Sequence, residues 1–150
     1  MKIAILLPYK ENFAPNYAGA VSLFVNDITR ESVYKNDTFI FGNTNSKKKL
    51  SKNYINLDLN KKIFQSTSKK YVQIFLEYEK KIQSDIIEVH NRPNYIKQIK
   101  DTYKNKVILY FHNDPLSMNG SKSKNDRIYL LNNVDKIIFN SNWSKKRFFL

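Results

Sequence analysis

The two histidines of this chain each stand directly after a short apolar run that is typical of a buried β-strand. His90 follows the run 85–89, and His112 follows the run 107–111. Polar residues and a proline come next in both places: Asn91, Arg92 and Pro93 in the first, Asn113, Asp114 and Pro115 in the second. An imidazole can donate or accept a hydrogen bond and can change protonation near neutral pH. We therefore treat both histidines as candidates for ligand binding or proton transfer.

The elements that would position these side chains alternate between strand-like and helix-like patterns. Apolar runs predict strands at 3–7, 38–41, 54–59, 85–89, 107–111 and 136–139. Helical spacing predicts helices at 18–32, 66–83, after Pro93, at 126–133 and at the end of the chain, where Ser141 or Ser144 is the candidate cap. This order predicts an α/β fold: a Rossmann-like, doubly wound, mostly parallel six-stranded sheet with helices on both faces.

In such a sheet, the carboxyl ends of the strands meet at one edge, where open α/β folds bind ligands. We expect this edge to bring the two imidazoles into a shared cleft, together with the loop 9–19, Asn43 and Ser141 to Trp143. Simpler roles remain open for each group. The histidines could cap their strands, Asn113 and Asp114 could form a turn, and Arg92 could pair with Glu88 or with an anion. Gly19, ahead of a helix, could serve a tight turn or let a phosphate approach.

Composition excludes several classes of protein. The chain has 150 residues, no cysteine and a formal net charge of +13. The absence of cysteine excludes a disulfide scaffold and thiolate chemistry. The positive charge suits nucleic acid, an anionic membrane or a phosphorylated substrate, although a lysine-rich and asparagine-rich composition also explains it without any ligand. There is no Gly-x-Gly-x-x-Gly, phosphate loop, nucleophile elbow or RNA-binding signature, and two histidines make a poor zinc set.

Five segments in order resemble the N-terminal domain of GT-B glycosyltransferases, in particular the retaining family 4 group. They are Lys2 to Pro8, Gly19 to Val21 with the helix that follows, Asp85 to His90, Val107 to His112, and Val134 to Ser141. The resemblance covers nearly the whole chain. It implies a transferase that passes a sugar from a nucleotide-sugar to a cell-surface polysaccharide or lipopolysaccharide acceptor, with no resident cofactor and no obligatory metal.

The resemblance also implies roles for residues. His112 would lie near the transferred sugar as the catalytic candidate, and Gly19 would lie near the donor diphosphate. The candidate acceptor-binding residues are His90, Asn91, Arg92, Asn113, Asp114 and Ser141. Residues 1–150 would form one acceptor-binding domain, with a C-terminal nucleotide-sugar-binding domain missing from the chain, and we expect this part alone to have negligible transferase activity.

The same resemblance implies a cytoplasmic protein that lies peripherally on the inner face of the cell membrane, where lipid-linked acceptors reside. Candidate lysines for an anionic membrane are Lys47, Lys48, Lys49, Lys52, Lys61, Lys62, Lys69 and Lys70. The alternative from another class is a non-enzymatic α/β binding or regulatory module. Nucleic-acid binding, the third interpretation, has only the charge in its favour.

Overall fold

The computed structural model describes residues 1–59 and 66–150. Its strands are β1 (Ile3–Leu6), β2 (Thr38–Gly42), β3 (Tyr54–Asn56), β4 (Ile86–His90), β5 (Lys106–Phe111) and β6 (Lys136–Phe139). Its α-helices are α1 (Ala20–Glu31), α2 (Thr67–Ile82), α3 (Ile96–Thr102), α4 (Lys124–Asn133) and α5 (Asn142–Phe148). Single turns of 3-10 helix lie at Lys35–Asp37, Pro93–Tyr95 and Pro115–Ser117.

The six strands form one sheet in the order β3-β2-β1-β4-β5-β6, and every neighbouring pair is parallel. The predicted Rossmann-like fold class is therefore confirmed. The strand order reverses beside β1, which pairs with β2 on one side and with β4 on the other. Open α/β sheets bind ligands at such a reversal, beyond the carboxyl ends of the strands.

Alternating residues along the strands pack against different helices. On one face, Ala4 and Leu6 of β1 belong to a large core with apolar residues of α2, α3, α4 and α5. On the other face, Ile3 and Ile5 pack with Val21 and Val25 of α1. The apolar runs that predicted the strands are thus explained by burial on both faces, as parallel sheets require.

Several predicted boundaries move by a few residues for local reasons. The strand expected at 54–59 pairs only over Tyr54–Asn56. The helix expected from 126 begins at Lys124, because Ser123 and Asp126 form a capping box around its first turn. The last helix is capped by Ser141, whose hydroxyl accepts a hydrogen bond from the Ser144 amide at 3.1 Å. In the two ranges described, no helix has the length and apolar character needed to cross a bilayer.

Candidate ligand-binding edge of the sheet

The two histidines meet at the carboxyl edge of the sheet. His90 Nδ1 lies 3.0 Å from His112 Nε2, a hydrogen-bond distance in which one nitrogen donates and the other accepts. The register of β4 and β5 places His90 opposite Tyr110, and the Tyr110 ring stacks on both imidazoles. His90 is completely buried and His112 is half-buried. The two rings therefore meet as expected, but the buried His90 does not line a cleft together with His112.

Asn91 explains why the two rings meet. Its φ of 57° is in the left-handed region, where asparagine is favoured over most other residues. This turn lets the Asn91 amide donate to the Tyr110 carbonyl at 2.7 Å, while its side-chain oxygen accepts from the His112 amide at 3.2 Å. On the other side, Asn140 Nδ2 donates to the His112 carbonyl at 2.7 Å. The backbone of His112 is thereby held between two strand ends.

Glu88 lies on the same face of β4 as His90, two residues before it. One of its carboxylate oxygens is 3.5 Å from His90 Nε2. That contact is close enough for electrostatic attraction but does not meet hydrogen-bond geometry, so Nε2 has no hydrogen-bond partner among the described residues. Phe24 of α1 contacts the edge of the His112 ring, with 5.1 Å between centroids, which places the pair on the α1 face of the sheet.

Burial determines the protonation states of His112 and Tyr110. Desolvation, together with the neighbouring His90, lowers the pKa of His112 to about 4, so its ring is neutral at neutral pH. Burial, with a smaller contribution from the charge of Glu88, raises the pKa of the Tyr110 phenol, which therefore stays protonated. The site holds a neutral His112 beside a neutral Tyr110. A neutral imidazole can accept a proton or hydrogen bond at one nitrogen while donating at the other.

Three predicted acceptor-binding residues line one hollow of about 500 Å³. They are Asn91, Arg92 and Asn113, and they are joined there by Tyr9, Ser68, Pro93, Asn94, Ser117, Met118, Asn119 and Lys122. Arg92 is held in place because its Nη1 donates to the Asn91 carbonyl at 2.7 Å; the alternative of a pair with Glu88 is not found. The lining contains two cationic side chains and no carboxylate. Such a surface offers many hydrogen-bond donors to a polar ligand.

Asp114 and Ser141 lie outside the lining of this hollow and are engaged within the chain. The Asp114 carboxylate accepts from Arg147 Nη2 at 2.9 Å and from Arg147 Nε at 3.3 Å. Those bonds hold the pKa of Asp114 below its ordinary value. Ser141 uses its hydroxyl as the cap of α5. Asp114 thereby ties α5 to the loop that follows His112, a link that the sequence did not reveal. Ser141 is the cap of α5, which is one of the two caps that the sequence offered.

Gly19 lies at the N-terminus of α1, and its surroundings are occupied by Glu11. Glu11 Oε1 accepts a hydrogen bond from the Ser22 amide at 3.0 Å. A β-carbon on residue 19 would lie 2.1 Å from that oxygen, so glycine is needed for the carboxylate to fit. The positive end of α1 is thus matched by a carboxylate of the chain itself. Sequence reasoning did not single out Glu11; its position eight residues before a lone helix-entry glycine was the available signal.

The lysines predicted to face a membrane are not equivalent. Lys47, Lys48, Lys52 and Lys69 are exposed, and Lys70 is half-buried. Lys49 is tied into its own loop, because its ammonium donates to the carbonyls of Thr44 and Ser46 and lies 5.0 Å from the Tyr54 ring centroid. Lys61 and Lys62 lie outside the described residues. Within the described ranges, no three histidine or carboxylate side chains gather into a potential metal site.

Comparisons with known proteins bear on the fold. No protein-family model and no curated protein matches the chain. Among solved structures, it is similar to sucrose-phosphate synthase from Thermosynechococcus elongatus, with a TM-score of 0.64 and 14% sequence identity. The similarity covers 97% of this chain and 44% of that chain, so this chain spans less than half of the neighbour's length. At this identity the likeness establishes a shared fold.

Proposed function

We propose that this chain is the acceptor-binding part of a glycosyltransferase that passes a sugar from a nucleotide-sugar to a polysaccharide or lipopolysaccharide acceptor. The observation that carries the proposal is the contact between His90 and His112 at the carboxyl edge of a Rossmann-like sheet. The shared fold with an enzyme named for making sucrose phosphate supports the same class of chemistry. A nucleotide-sugar-binding domain would complete the enzyme, as the greater length of that neighbour suggests.

The geometry supports different roles for the candidate residues. His112 is half-buried and neutral, so it can meet a sugar hydroxyl as the catalytic candidate. Asn91, Arg92 and Asn113 line the polar hollow, which suits a hydroxyl-rich acceptor. His90 is completely buried, so we assign it a role through His112 in place of direct acceptor contact. Asp114 acts on the acceptor side by fixing the loop after His112 through Arg147, and Ser141 acts there by capping α5.

Gly19 remains the proposed contact of the donor diphosphate, with one structural condition. The Glu11 carboxylate stands at the α1 N-terminus, where a diphosphate would bring further negative charge. Two anions there repel each other, so donor binding requires Glu11 to turn away from Ser22. We therefore expect Glu11→Gln to strengthen the binding of a nucleotide-sugar in the completed enzyme.

A peripheral membrane location is part of the same proposal. Its support is the set of exposed lysines Lys47, Lys48, Lys52 and Lys69, each of which adds about 1 kcal/mol of attraction near an anionic surface. Sedimentation with phosphatidylglycerol vesicles at low salt measures this binding, and phosphatidylcholine vesicles are the control. Equal binding to both vesicle types contradicts an electrostatic contact.

The decisive experiment follows backbone amide signals of ¹⁵N-labelled residues 1–150 during titration with a lipopolysaccharide core oligosaccharide. We expect shifts at Asn91, Arg92 and Asn113, because these residues line the hollow. Arg92→Ala should abolish the shifts. Arg30→Ala is the matched control, since Arg30 lies on the exposed side of α1 and, within the described part of the chain, forms ion pairs only with Asp27 and Glu31.

UDP-glucose and GDP-mannose serve as donor probes in the same assay, with mass spectrometry to detect any transferred sugar. We expect no product from this part of the enzyme by itself. Oligosaccharide shifts confined to surfaces away from the hollow would contradict the acceptor role. Product formed by residues 1–150, purified free of other enzymes, would contradict the division of labour between two domains.

A further inference from the structure

We propose that Glu88 sets the tautomer of His112 through the buried ring of His90, so that His112 offers an unprotonated Nδ1 to a ligand hydroxyl. Glu88, His90 and His112 form a continuous line of contacts, from a carboxylate oxygen to Nε2 of one ring and from Nδ1 of that ring to Nε2 of the next. The identity of the ligand, a sugar hydroxyl, rests on the proposed function, whereas the tautomer of His112 is independent of it.

The first step is the contact between Glu88 and His90. His90 Nε2 is buried, has no hydrogen-bond partner among the described residues, and lies 3.5 Å from a Glu88 carboxylate oxygen. A nitrogen that carries a proton is attracted by the carboxylate, whereas a bare lone pair in the same place is repelled by it. The Nε2–H form of His90 is therefore the stable one.

The second step is the contact between the two rings. A neutral imidazole carries one proton, so His90 with a proton on Nε2 has a bare Nδ1. At 3.0 Å from that lone pair, His112 Nε2 must be the donor. His112 is neutral as well, which leaves its Nδ1 unprotonated. No described residue donates a hydrogen bond to this Nδ1, so it remains available to a ligand.

A doubly protonated His90 would reverse the donor and acceptor between the rings. It would place a positive charge on a side chain with no exposed surface. The ion would be compensated by the hydrogen bond to His112 and by one carboxylate at 3.5 Å, while its Nε2 would have no hydrogen-bond partner among the described residues. Burial of an ion without a complete set of hydrogen bonds is costly. The neutral form of His90 is therefore favoured, and with it the bare Nδ1 of His112.

The other side chains that pack against Glu88, His90 and His112 bring no charge that would compete with the Glu88 carboxylate. Tyr110 stacks on both rings and keeps its phenol proton. On the α1 side, Phe24 packs against His90, Tyr110 and His112. Glu88 also shares a small hollow with Ile28 and Thr29 of α1. Among the described residues, Glu88 makes no ion pair with lysine or arginine, so its charge acts on His90.

The consequence is a preference in what His112 binds. A bare imidazole nitrogen accepts a hydrogen bond from a hydroxyl, and it repels the oxygens of a fully deprotonated anion, which can only accept. His112 would thus select a sugar hydroxyl. A phosphate oxygen would require the opposite tautomer. Glu88 and His90 are positioning residues in this scheme, and His112 is the residue that touches the ligand.

The test is a long-range ¹H–¹⁵N correlation spectrum of the imidazoles at neutral pH, which distinguishes protonated from unprotonated ring nitrogens. The chain has only two histidines, so the spectrum contains two ring systems. We expect a proton on Nε2 of both rings in the unaltered protein. A proton on His112 Nδ1 would overturn the proposal. Because this spectrum is recorded on the unaltered protein, the result does not depend on the folding of a variant.

The Glu88→Met variant removes the charge while keeping a side chain of similar length. We expect His112 in it to show a mixture of tautomers, with a signal for Nδ1–H. The Glu77→Met variant is the control, because Glu77 is exposed on α2, and its spectrum should match the unaltered protein. An unchanged His112 tautomer in Glu88→Met would refute the role of Glu88.

The ligand preference is tested with sodium sulfate, an anion whose oxygens only accept hydrogen bonds. We expect the His112 ring signals to stay in place throughout the titration, relative to sodium chloride at the same ionic strength. A sulfate-dependent shift at His112 Nδ1 would overturn the hydroxyl preference. Neither the tautomer spectra nor the sulfate titration contains a sugar donor or acceptor. Their interpretation therefore stays valid even if the proposed transferase function is wrong.

Discussion

The carboxylate of Glu11 fills the space next to Gly19 in which any other residue would place its β-carbon. A β-carbon on residue 19 would approach Glu11 Oε1 to 2.1 Å, while that oxygen accepts from the Ser22 amide at 3.0 Å. The φ of Gly19 is −75°, which every residue can adopt. A larger residue at this position would therefore displace the Glu11 carboxylate, and the conformational freedom of glycine is not the reason for its presence.

Gly19→Ala should displace the Glu11 carboxylate and leave the first turn of α1 without its acceptor. Loss of a helix cap costs about 0.5–2 kcal/mol, and we expect a fall of that size in the free energy of unfolding. Glu11→Ala removes the same interaction. The double variant should therefore lose about as much stability as the worse single variant, measured by urea unfolding. Full additivity of the two losses would show that Gly19 and Glu11 act separately.

Acidification should destabilise the protein through His112. Its pKa is about 4 in the folded chain, against 6.5 for an ordinary histidine. Between these values the unfolded chain binds more protons, so the free energy of unfolding falls as the pH falls from 6.5 toward 4. His112→Gln cannot titrate and should show a smaller fall across this window. Identical pH profiles for the two proteins would contradict a buried, neutral His112.

The pair formed by Asp114 and Arg147 should stabilise α5 only while Asp114 is ionised. The folded-state pKa of Asp114 lies below its ordinary 3.8, chiefly because Arg147 donates hydrogen bonds to it. The stabilisation is therefore complete above the ordinary value and is lost as the pH falls through the lowered one. Arg147→Lys keeps the positive charge but loses the bidentate hydrogen bonding to the Asp114 carboxylate. Its unfolding midpoint should fall below that of the unaltered protein at neutral pH and converge with it in acid, whereas Arg30→Lys should show no such convergence.

Tyr71→Phe should destabilise the sheet near the carboxyl end of β1. The buried Tyr71 hydroxyl donates to the Leu7 carbonyl at 2.9 Å, and its removal leaves that carbonyl without its partner. Such a loss costs about 1–3 kcal/mol. Tyr78→Phe on the same helix is the control, since Tyr78 is 40% exposed, and it should change the unfolding free energy by less than about 0.5 kcal/mol. Equal effects of the two variants would indicate that the buried hydrogen bond contributes nothing.

Much of the fold was predictable because burial on both faces of a parallel sheet leaves a strong pattern. The runs before His90 and His112 predicted strands, and their shared edge predicted that the rings would meet. The short β3 escaped prediction in its length, since the apolar alternation continues to Leu59 but the strand ends at Asn56, with the Leu57 amide still donating to the Gly42 carbonyl of β2 at 2.7 Å. Apolar alternation reports burial, and it does not report how far two backbones remain paired.

The parts of the site that the sequence did not disclose depend on contacts between distant residues. The link of Arg147 to Asp114 joins residues 33 apart, and the link of Asn140 to His112 joins residues 28 apart. Side-chain pairing of this kind follows from three-dimensional packing, which no local pattern encodes. Glu88 is different, because its place two residues before His90 on the same strand already puts both side chains on one face, and the sequence reasoning had considered it only as a partner of Arg92.

The left-handed turn at Asn91 gives the candidate site an unusual mechanical property. Its backbone and side chain fasten His112 to the end of β4, so the separation of the two imidazoles is set by the paired ends of β4 and β5 and by this one turn. A ligand arriving at His112 meets a prearranged acceptor and has little ordering entropy to overcome. Affinity at His112 should therefore fall with any substitution that removes the hydrogen bonds of Asn91 or weakens the pairing of β4 with β5.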